Sequence, residues 1–298
     1  MPSTSRTDCA WCGAALSDGV RLHGRIRCPT CGTATTDPWP SPGELDAAYG
    51  DWYRPGGGRF SGLGDEILRR TRARLAKRID RLAPPGPVLD VGAGDGALLA
   101  GLHAVGRDAG GLERHAAGDG VRNGDLDEEE AGAWAAVVFW HSLEHLPEPG
   151  RAIDALGTLL RPEGAVIIAV PNSASLQARL FGDRWLALDL PRHLVHLTAS
   201  ALLHRLREAG LQVKRVSYLR GGQVVFGWLH GFVGLLPGHP NLYNAIRRPR
   251  ARSAPMPRRV RWSTLAAASL LLPAAVIATS VEVLLRRGGT VYVEARLA

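Results

Sequence analysis

The chain has 298 residues, 45% of them hydrophobic and 21% charged, enough to bury a sizeable core and to exclude global disorder. The formal net charge is +8, carried almost wholly by arginine because Lys77 and Lys214 are the only lysines, a usage that reflects genome composition as readily as a nucleic-acid partner. Met1–Asp8 is polar with no apolar run, so no secretory signal is expected and a cytoplasmic location, where cysteines stay reduced, follows by default.

All four cysteines lie in the first 31 residues. Cys9-x2-Cys12 and Cys28-x2-Cys31 are separated by fifteen residues, a spacing that reads as a tetrahedral four-cysteine zinc site rather than as a redox pair or disulfides. Gly13 and Gly32 follow the pairs, where a tight turn must aim backbone N–H groups at the thiolates. Four thiolates leave no open position, so the zinc is expected to be structural. Its binding free energy, about 10–16 kcal/mol, replaces the core that so short a segment lacks. Residues 1–42 are therefore expected to be a zinc-binding module, closing on Asp37-Pro38-Trp39-Pro40-Ser41-Pro42.

Residues 43–84 read as a connector with a break at Gly56-Gly57-Gly58, then a helix from Asp65. In that helix Ile67, Leu68, Leu75, Ile79 and Leu82 recur at helical spacing until Pro84-Pro85. Strand-like and helix-like segments then alternate from Val88 to Leu219. Ala135–Trp140 and Ala165–Val170 are continuous apolar strands, Gly150–Leu160 and Ala199–Ala209 are helices, and Arg161-Pro162-Glu163-Gly164 is a turn. This alternation predicts a doubly wound α/β sheet over 85–220, completed by a last strand in 288–298.

The central signal is Val88-Leu89-Asp90-Val91-Gly92-Ala93-Gly94-Asp95-Gly96-Ala97, a strand, a glycine loop and a helix start. Gly92-x-Gly94-x-x-Ala97 also satisfies the dinucleotide fingerprint. Asp90 and Asp95 would repel a pyrophosphate, whereas Asp90 can reach the cationic methionine end of S-adenosylmethionine. Glu113, nineteen residues after Gly94, is placed to accept the ribose hydroxyls, and Asp125 with Leu126 to grip the adenine. Residues 88–219 resemble the class I S-adenosylmethionine-dependent methyltransferases. The closest likeness is to the branch with a Leu-Glu-His-Leu-Pro segment after the fourth strand, here Leu143-Glu144-His145-Leu146-Pro147. Arg161-Pro162-Glu163-Gly164, Val170-Pro171-Asn172 and Pro191-Arg192-His193-Leu194 resemble the same branch, and the cysteine knuckles followed by Asp-Pro-x-Pro-Ser resemble the zinc-binding head of sugar C-methyltransferases. The resemblance implies a Rossmann-like seven-stranded sheet, S-adenosylmethionine as cofactor with His141 also at its pocket, and a small-molecule, sugar or lipid-linked acceptor. Only eleven residues separate Glu113 from Asp125, so the second helix of that family must be abbreviated here.

For the chemistry, His145 and His193 are the expected acid/base groups, since histidine is the side chain that exchanges protons near neutral pH. An alternative use of His141-x-x-Glu144-His145 is metal binding, because it resembles the Glu-x-x-Glu-His motif of some quinone and RNA methyltransferases; histidine in first place suits zinc better than magnesium. Two other functions fit parts of the pattern. An RNA methyltransferase with a zinc module is one, although Trp11 and Trp39 are too few aromatics for a base-stacking platform, which argues against nucleic acid. A non-catalytic cofactor-binding scaffold is the other.

Residues 221–287 interrupt the α/β pattern with two apolar stretches, Val224–Leu236 and Thr264–Val281, separated by seven arginines between Arg247 and Arg261 without an acid. Thr264–Val281 approaches the length of a membrane span, about 20 residues, but arginines flank both ends and the strands on either side must share one compartment. Shallow or re-entrant contact at the inner face of a membrane is expected, with Pro273 breaking the helix. An apolar cap packed on the protein's own core is the alternative.

Overall fold

The structure, a computed structural model, describes residues 4–50, 58–115, 118–219 and 222–297. Gly56 and Gly57 of the expected break, Met1–Ser3, the insertion boundary Gly221 and Ala298 lie outside the described residues.

Three short antiparallel strands come first: β1 (Val20–Leu22), β2 (Arg25–Arg27) and β3 (Ala34–Thr36). Helix α1 (Pro42–Ala48) opens with a capping box, Ser41 and Glu44 satisfying each other's backbone N–H. Helix α2 (Gly64–Leu82) buries Leu75, Ala76 and Ile79, while Ile67 and Leu68 of the same apolar series stay exposed. The alternating part runs β4 (Val88–Val91), α3 (Ala97–His103), β5 (Ala109–Leu112), β6 (Val121–Arg122), β7 (Trp134–Trp140), α4 (Pro149–Asp154) and α5 (Leu156–Leu159). It continues through β8 (Leu160–Pro171), α6 (Leu176–Phe181), β9 (Val195–His196), α7 (Ala199–Glu208) and β10 (Leu211–Ser217). Helices α8 (Gly222–Gly234), α9 (Leu242–Ile246) and α10 (Arg258–Leu284) precede the closing strand β11 (Thr290–Leu297).

Seven strands form one Rossmann-like sheet in the order β10-β11-β8-β7-β4-β5-β6, all parallel except β11, which runs antiparallel to β8 and β10. Every residue of β4, and of β7 from Ala135 onward, is buried, as a sheet covered on both faces requires. Strand alternation divides the core. Leu89, Val91, Val137 and Phe139 join the cluster of α4, α5 and α7, while Val88, Val138 and Trp140 join that of α2 and α3. Strand order reverses between β4 and β7, and such a switch point opens a crevice at the carboxyl ends of the strands.

Two expectations are corrected. Arg161–Gly164 belongs to β8, which starts at Leu160 by pairing with Trp134; the bend survives only as Glu163 with φ 59°. Pro273 does not break its helix, because α10 is continuous through it. The ring lies on the exposed side, so the carbonyl that loses its N–H partner faces solvent rather than core. Between Glu113 and Asp125 the described residues form only β6, the abbreviation that the spacing predicts.

The cysteine-bearing segment is knitted into the main body. Strand β3 pairs with β9, giving a small sheet β1-β2-β3-β9, and Trp11, Leu16 and Ile26 belong to the same core cluster as β4, β7 and α7. Helices α8 and α10 pack antiparallel, Trp228 beside Glu282 and Val233 beside Ala268.

Candidate active site

A cavity of about 600 Å³ opens at the carboxyl ends of β4, β5 and β7. One half is built from residues that the sequence pattern singled out: Gly92, Glu113, Asp125, Leu126 and His141 all line it. Gly92 has φ 81°, and a Cβ there would stand 2.3 Å from that of Ser142, so no other residue keeps the loop this close to the end of β7. Glu113 leaves the end of β5 and accepts the N–H of Gly94 through Oε2 (2.8 Å), which ties the acid to the glycine loop. Asp125 precedes the short turn Leu126–Glu128 that presents the buried Leu126, its backbone carbonyl accepting the N–H of Glu128 (3.2 Å). Asp90, Gly94 and Gly96 do not line the cavity. Asp90 is buried within β4, next along the strand to Val91, which does line the cavity.

The other half is formed by the turn after β7 and by the segment leading into β9. His141 takes a left-handed backbone conformation (φ 55°), uncommon outside glycine and enriched at functional sites. Glu144 is 1% exposed, and among the described residues no close hydrogen-bond donor is seen on either of its oxygens. Its nearest imidazole nitrogens are His141 Nδ1 at 3.6 Å and His193 Nε2 at 3.8 Å. Burial works against its charge, but the imidazoles of His141, His145 and His193 outweigh that and hold the carboxyl below its ordinary range.

His145 lines the cavity with Nδ1 2.8 Å from the carbonyl of Arg192 and 2.9 Å from the Tyr49 hydroxyl. A carbonyl only accepts, so Nδ1 carries the proton and Nε2 keeps the lone pair. Burial, then the neighbouring His193, pushes the His145 pKa down to about 4, so the ring is neutral at physiological pH. His193 is 7% exposed and stands behind His145, ring centroids 4.7 Å apart, with Nδ1 2.8 Å from the carbonyl of Ala187. Both rings are therefore fixed in the same tautomer by backbone carbonyls, the arrangement that orients histidines as bases or as metal ligands. Ligand atoms of Glu144, His145 and His193 all lie within 4.8 Å of one another.

The structure adds residues that the sequence did not single out for chemistry. Tyr49, the C-cap of α1, reaches the cavity and His145 across 96 positions of sequence. Arg192 lines the cavity, forks onto Asp189 and donates to the carbonyl of Ala48 (3.1 Å). Arg6 and Trp39 bring the cysteine-bearing segment to the same wall, the guanidinium 4.8 Å from the indole centre. Arg192 and Trp39 had local signals, the first in Pro191-Arg192-His193-Leu194, where the histidine drew the attention, the second in Asp37-Pro38-Trp39-Pro40-Ser41.

Away from the cavity, Cys9, Cys12, Cys28 and Cys31 converge. The sulfurs of Cys9 and Cys31 are 3.7 Å apart, as are those of Cys12 and Cys28. A tetrahedron of thiolates about 2.3 Å from zinc has an edge of about 3.8 Å, so the four fit that ion. Gly13 and Gly32 take φ 74° and 73°, and each donates back to the first cysteine of its pair, the expected knuckle turn.

Residues 66–216, about half the chain, match a family described as methyltransferase domain. A ubiquinone biosynthesis O-methyltransferase of Xanthomonas axonopodis pv. citri is 31% identical over 161 residues, covering 46% of this chain and 67% of that protein. One from Acinetobacter baumannii is 29% identical over 156 residues, 44% of this chain and 66% of its own length. The chain thus spans about two thirds of the curated relatives it matches. Among solved structures, a SAM dependent methyltransferase from Archaeoglobus fulgidus is 16% identical over 76% of this chain and 94% of that one, with a TM-score of 0.47. The cysteine-bearing segment and the α8–α10 hairpin lie outside the matched family region.

Proposed function

Because the chain belongs to the class I S-adenosylmethionine-dependent methyltransferases, we propose that it methylates a hydroxyl group of a small sugar or lipid-linked acceptor held against the His145 side of the cavity. The observation that carries this reading is the neutral His145, anchored through Nδ1 and lining the same cavity as Glu113 and Asp125. The O-methyl activity in the names of the relatives supports oxygen as the acceptor atom, and the likeness of the cysteine knuckles to a sugar methyltransferase head supports the sugar class.

When bound, S-adenosylmethionine supplies an electrophilic methyl group and most of the reactivity. Glu113 is the residue to hold the ribose, Asp125 and Leu126 the adenine, and the Gly92 turn lets a ligand approach the peptide plane. Nε2 of His145 accepts the hydrogen bond of the acceptor hydroxyl and then its proton. An oxygen undergoing alkylation becomes a strong acid, so a ring with a pKa of about 4 is basic enough to take that proton. Glu144, ionised in the layer behind, stabilises the imidazolium as it forms. Zinc on the four cysteines belongs to the same reading as a structural ion, supported by the sulfur spacing.

A second reading rests on the buried Glu144, whose nearest partners are the imidazoles of His141 and His193, since a carboxylate in such a place needs neutralising. A divalent metal on Glu144, His145 and His193 would do so, and two nitrogens with one oxygen suit zinc. Such an ion would acidify the acceptor hydroxyl. Glu144→Gln should then lower bound metal by one ion per chain, an effect absent from the base mechanism.

Incubation with methyl-labelled S-adenosylmethionine and separated lipid, glycan and RNA fractions tests the proposal. Label in the lipid or glycan fraction is expected, and label in RNA alone would sink it. Glu113→Ala should weaken cofactor binding by about 1–3 kcal/mol in calorimetry. His145→Ala should lower kcat by ~10²–10⁴ and leave that affinity within twofold. Equal loss of both in His145→Ala would mean that the ring only holds the loop.

A further inference from the structure

We infer that α10 docks the protein flat on an anionic membrane surface, through the side that it turns to solvent. The inference adds a partner to the lipid-linked acceptor reading, and its test needs no catalysis. Helix α10 is built inside out. Its buried stripe contains Thr264, Ala268, Ala275, Thr279 and Glu282, so its threonines and its acid face inward, while Ser263, Ser269 and Ser280 on the outer side turn their hydroxyls back onto helix carbonyls. Glu282, fully buried, accepts from the Gln177 backbone N–H (3.0 Å), the Gln177 side-chain amide (2.9 Å) and the Trp228 indole (2.9 Å). The outer side carries Trp262, Leu270, Ile277 and Leu284, between 63% and 82% exposed, with Val276 and Val281 beside them. No charged side chain interrupts that face between Arg261 and Arg286. A helix facing water on one side normally shows polar residues there, and a long apolar face on the outside marks a contact surface.

Charge identifies the occupant. From Gly222 to Arg287 the sequence has nine arginines and one acid, the buried Glu282. Arg258, Arg259 and Arg261 stand at the start of the apolar face and Arg286 and Arg287 at its end. A second copy of the chain would bring arginine against arginine at both ends, whether the two helices ran parallel or antiparallel. An anionic lipid surface complements both ends and the apolar middle together, with Trp262 at the depth that indole favours. The helix lies in the plane rather than crossing. Its inner face is held to α6 and α8 through the Glu282 bonds, and β10 and β11 on either side of the insertion pair with each other.

Flotation of the full-length protein with vesicles tests this, comparing phosphatidylcholine alone with phosphatidylcholine containing about 30% phosphatidylglycerol. Binding to the anionic vesicles is expected, weaker on neutral ones and at high salt. The double variant Leu270→Glu, Ile277→Glu should bind at least about tenfold more weakly. Both side chains point into solvent, so an unchanged melting temperature would confirm that this variant is folded. No flotation with anionic vesicles, equal flotation on neutral vesicles, or equal flotation of the double variant would each overturn the inference. A dimer in sedimentation equilibrium that the double variant converts to monomer would overturn it in favour of self-association.

Discussion

The cysteine-bearing segment and the α8–α10 hairpin are both attached outside the region that matches the methyltransferase domain; both bury threonines, and they differ in how much large apolar surface they leave outside. The first packs Trp11, Leu16 and Ile26 into the main core and leaves only Val20 and Leu22 of its outer strand exposed among its described large apolar side chains. Trp11 is 3% exposed, with Arg205 6.0 Å over its ring, and its carbonyl lies so close to Gly150 that a Cβ there would stand 2.1 Å away. The hairpin buries its threonines and its glutamate and leaves Leu270 and Leu284 at 82% exposure. The first therefore gains stability from the body it packs on, while α10 leaves apolar area in water that folding alone does not use. They differ also in their relation to the site. Arg6 and Trp39 line the cavity, whereas no residue of α8 or α10 does. One attachment should govern turnover, and the other, location.

Breaking the cysteine cluster is expected to have the largest effect. Cys28→Ser should release one zinc per chain, measured by metal analysis, and lower the melting temperature by many degrees, since structural zinc binding contributes about 10–16 kcal/mol to small modules. Turnover should fall with it, because β3 is the strand that pairs with β9 beside His193. A metal-free chain with unchanged melting temperature and kcat would remove both the zinc assignment and the link to the site.

A finer cut at the same seam should separate position from stability. The Thr36 hydroxyl donates to the carbonyl of His193 (2.6 Å) and lies 3.2 Å from Nε2 of His196, all buried. Thr36→Val keeps the shape and leaves that carbonyl short of a partner, a cost of about 1–3 kcal/mol. Steady-state kinetics should show kcat reduced about tenfold or more, with the dissociation constant of S-adenosylmethionine unchanged, because Glu113 and Asp125 stand on other elements. Loss of cofactor affinity to the same degree would mean that the segment braces the whole cavity.

The cofactor half of the site was legible in the sequence because its signals are local: a strand, glycines and acids at strand ends, whose chemistry needs only neighbours along the chain. Gly92, Glu113, Asp125 and His141 meet for that reason. Tyr49 was not legible, since its contact with His145 depends on how a connector folds back over 96 positions. Asp90, expected to reach the methionine end of the cofactor, is buried in β4 beside the cavity-lining Val91. In the hairpin the apolar stretch was evident and its orientation was not. A run that is apolar all round carries no stripe to show which side faces in, and Glu282, which settles the matter, lies one residue past its end. Pro273 was expected to stop the helix because position alone cannot say that its ring faces solvent.

Acid should weaken the hairpin through one partly buried histidine. Burial pushes the pKa of His230 in α8 down to about 4, and its Nδ1 accepts the N–H of Tyr243 (3.3 Å). The unfolded value is about 6.5, so the unfolded state binds the proton more readily. This contribution is whole above about pH 6.5 and is lost as pH falls through about 4, roughly 1–2 kcal/mol once partial exposure is allowed for. Between pH 7.5 and pH 4.5 (values of order set by these two pKa limits) the wild type should lose more melting temperature than His230→Gln, whose amide oxygen can take the same bond. Parallel losses would assign the acid sensitivity elsewhere.

The smallest expected effect is the sharpest test of the contrast. Leu270→Gln and Ile277→Gln, made singly, should shift unfolding free energy in water by no more than about 0.5 kcal/mol, because each side chain is mostly exposed and leaves no cavity. An equally conservative change on the inner side, Ala275→Ser, puts a hydroxyl among Phe181, Trp185, Val224 and Trp228 and should cost about 1–3 kcal/mol. For a helix of ordinary polarity the same comparison would put apolar loss on the inner side and polar loss on the outer. Here the outer side tolerates glutamine, while the inner side already holds the threonines and the acid that it can satisfy. Chemical denaturation of the three variants, read as midpoint at constant slope, decides the matter. If Leu270→Gln costs as much as Ala275→Ser, the outer face is covered in solution, and α10 is an internal helix of an assembly rather than an exposed surface.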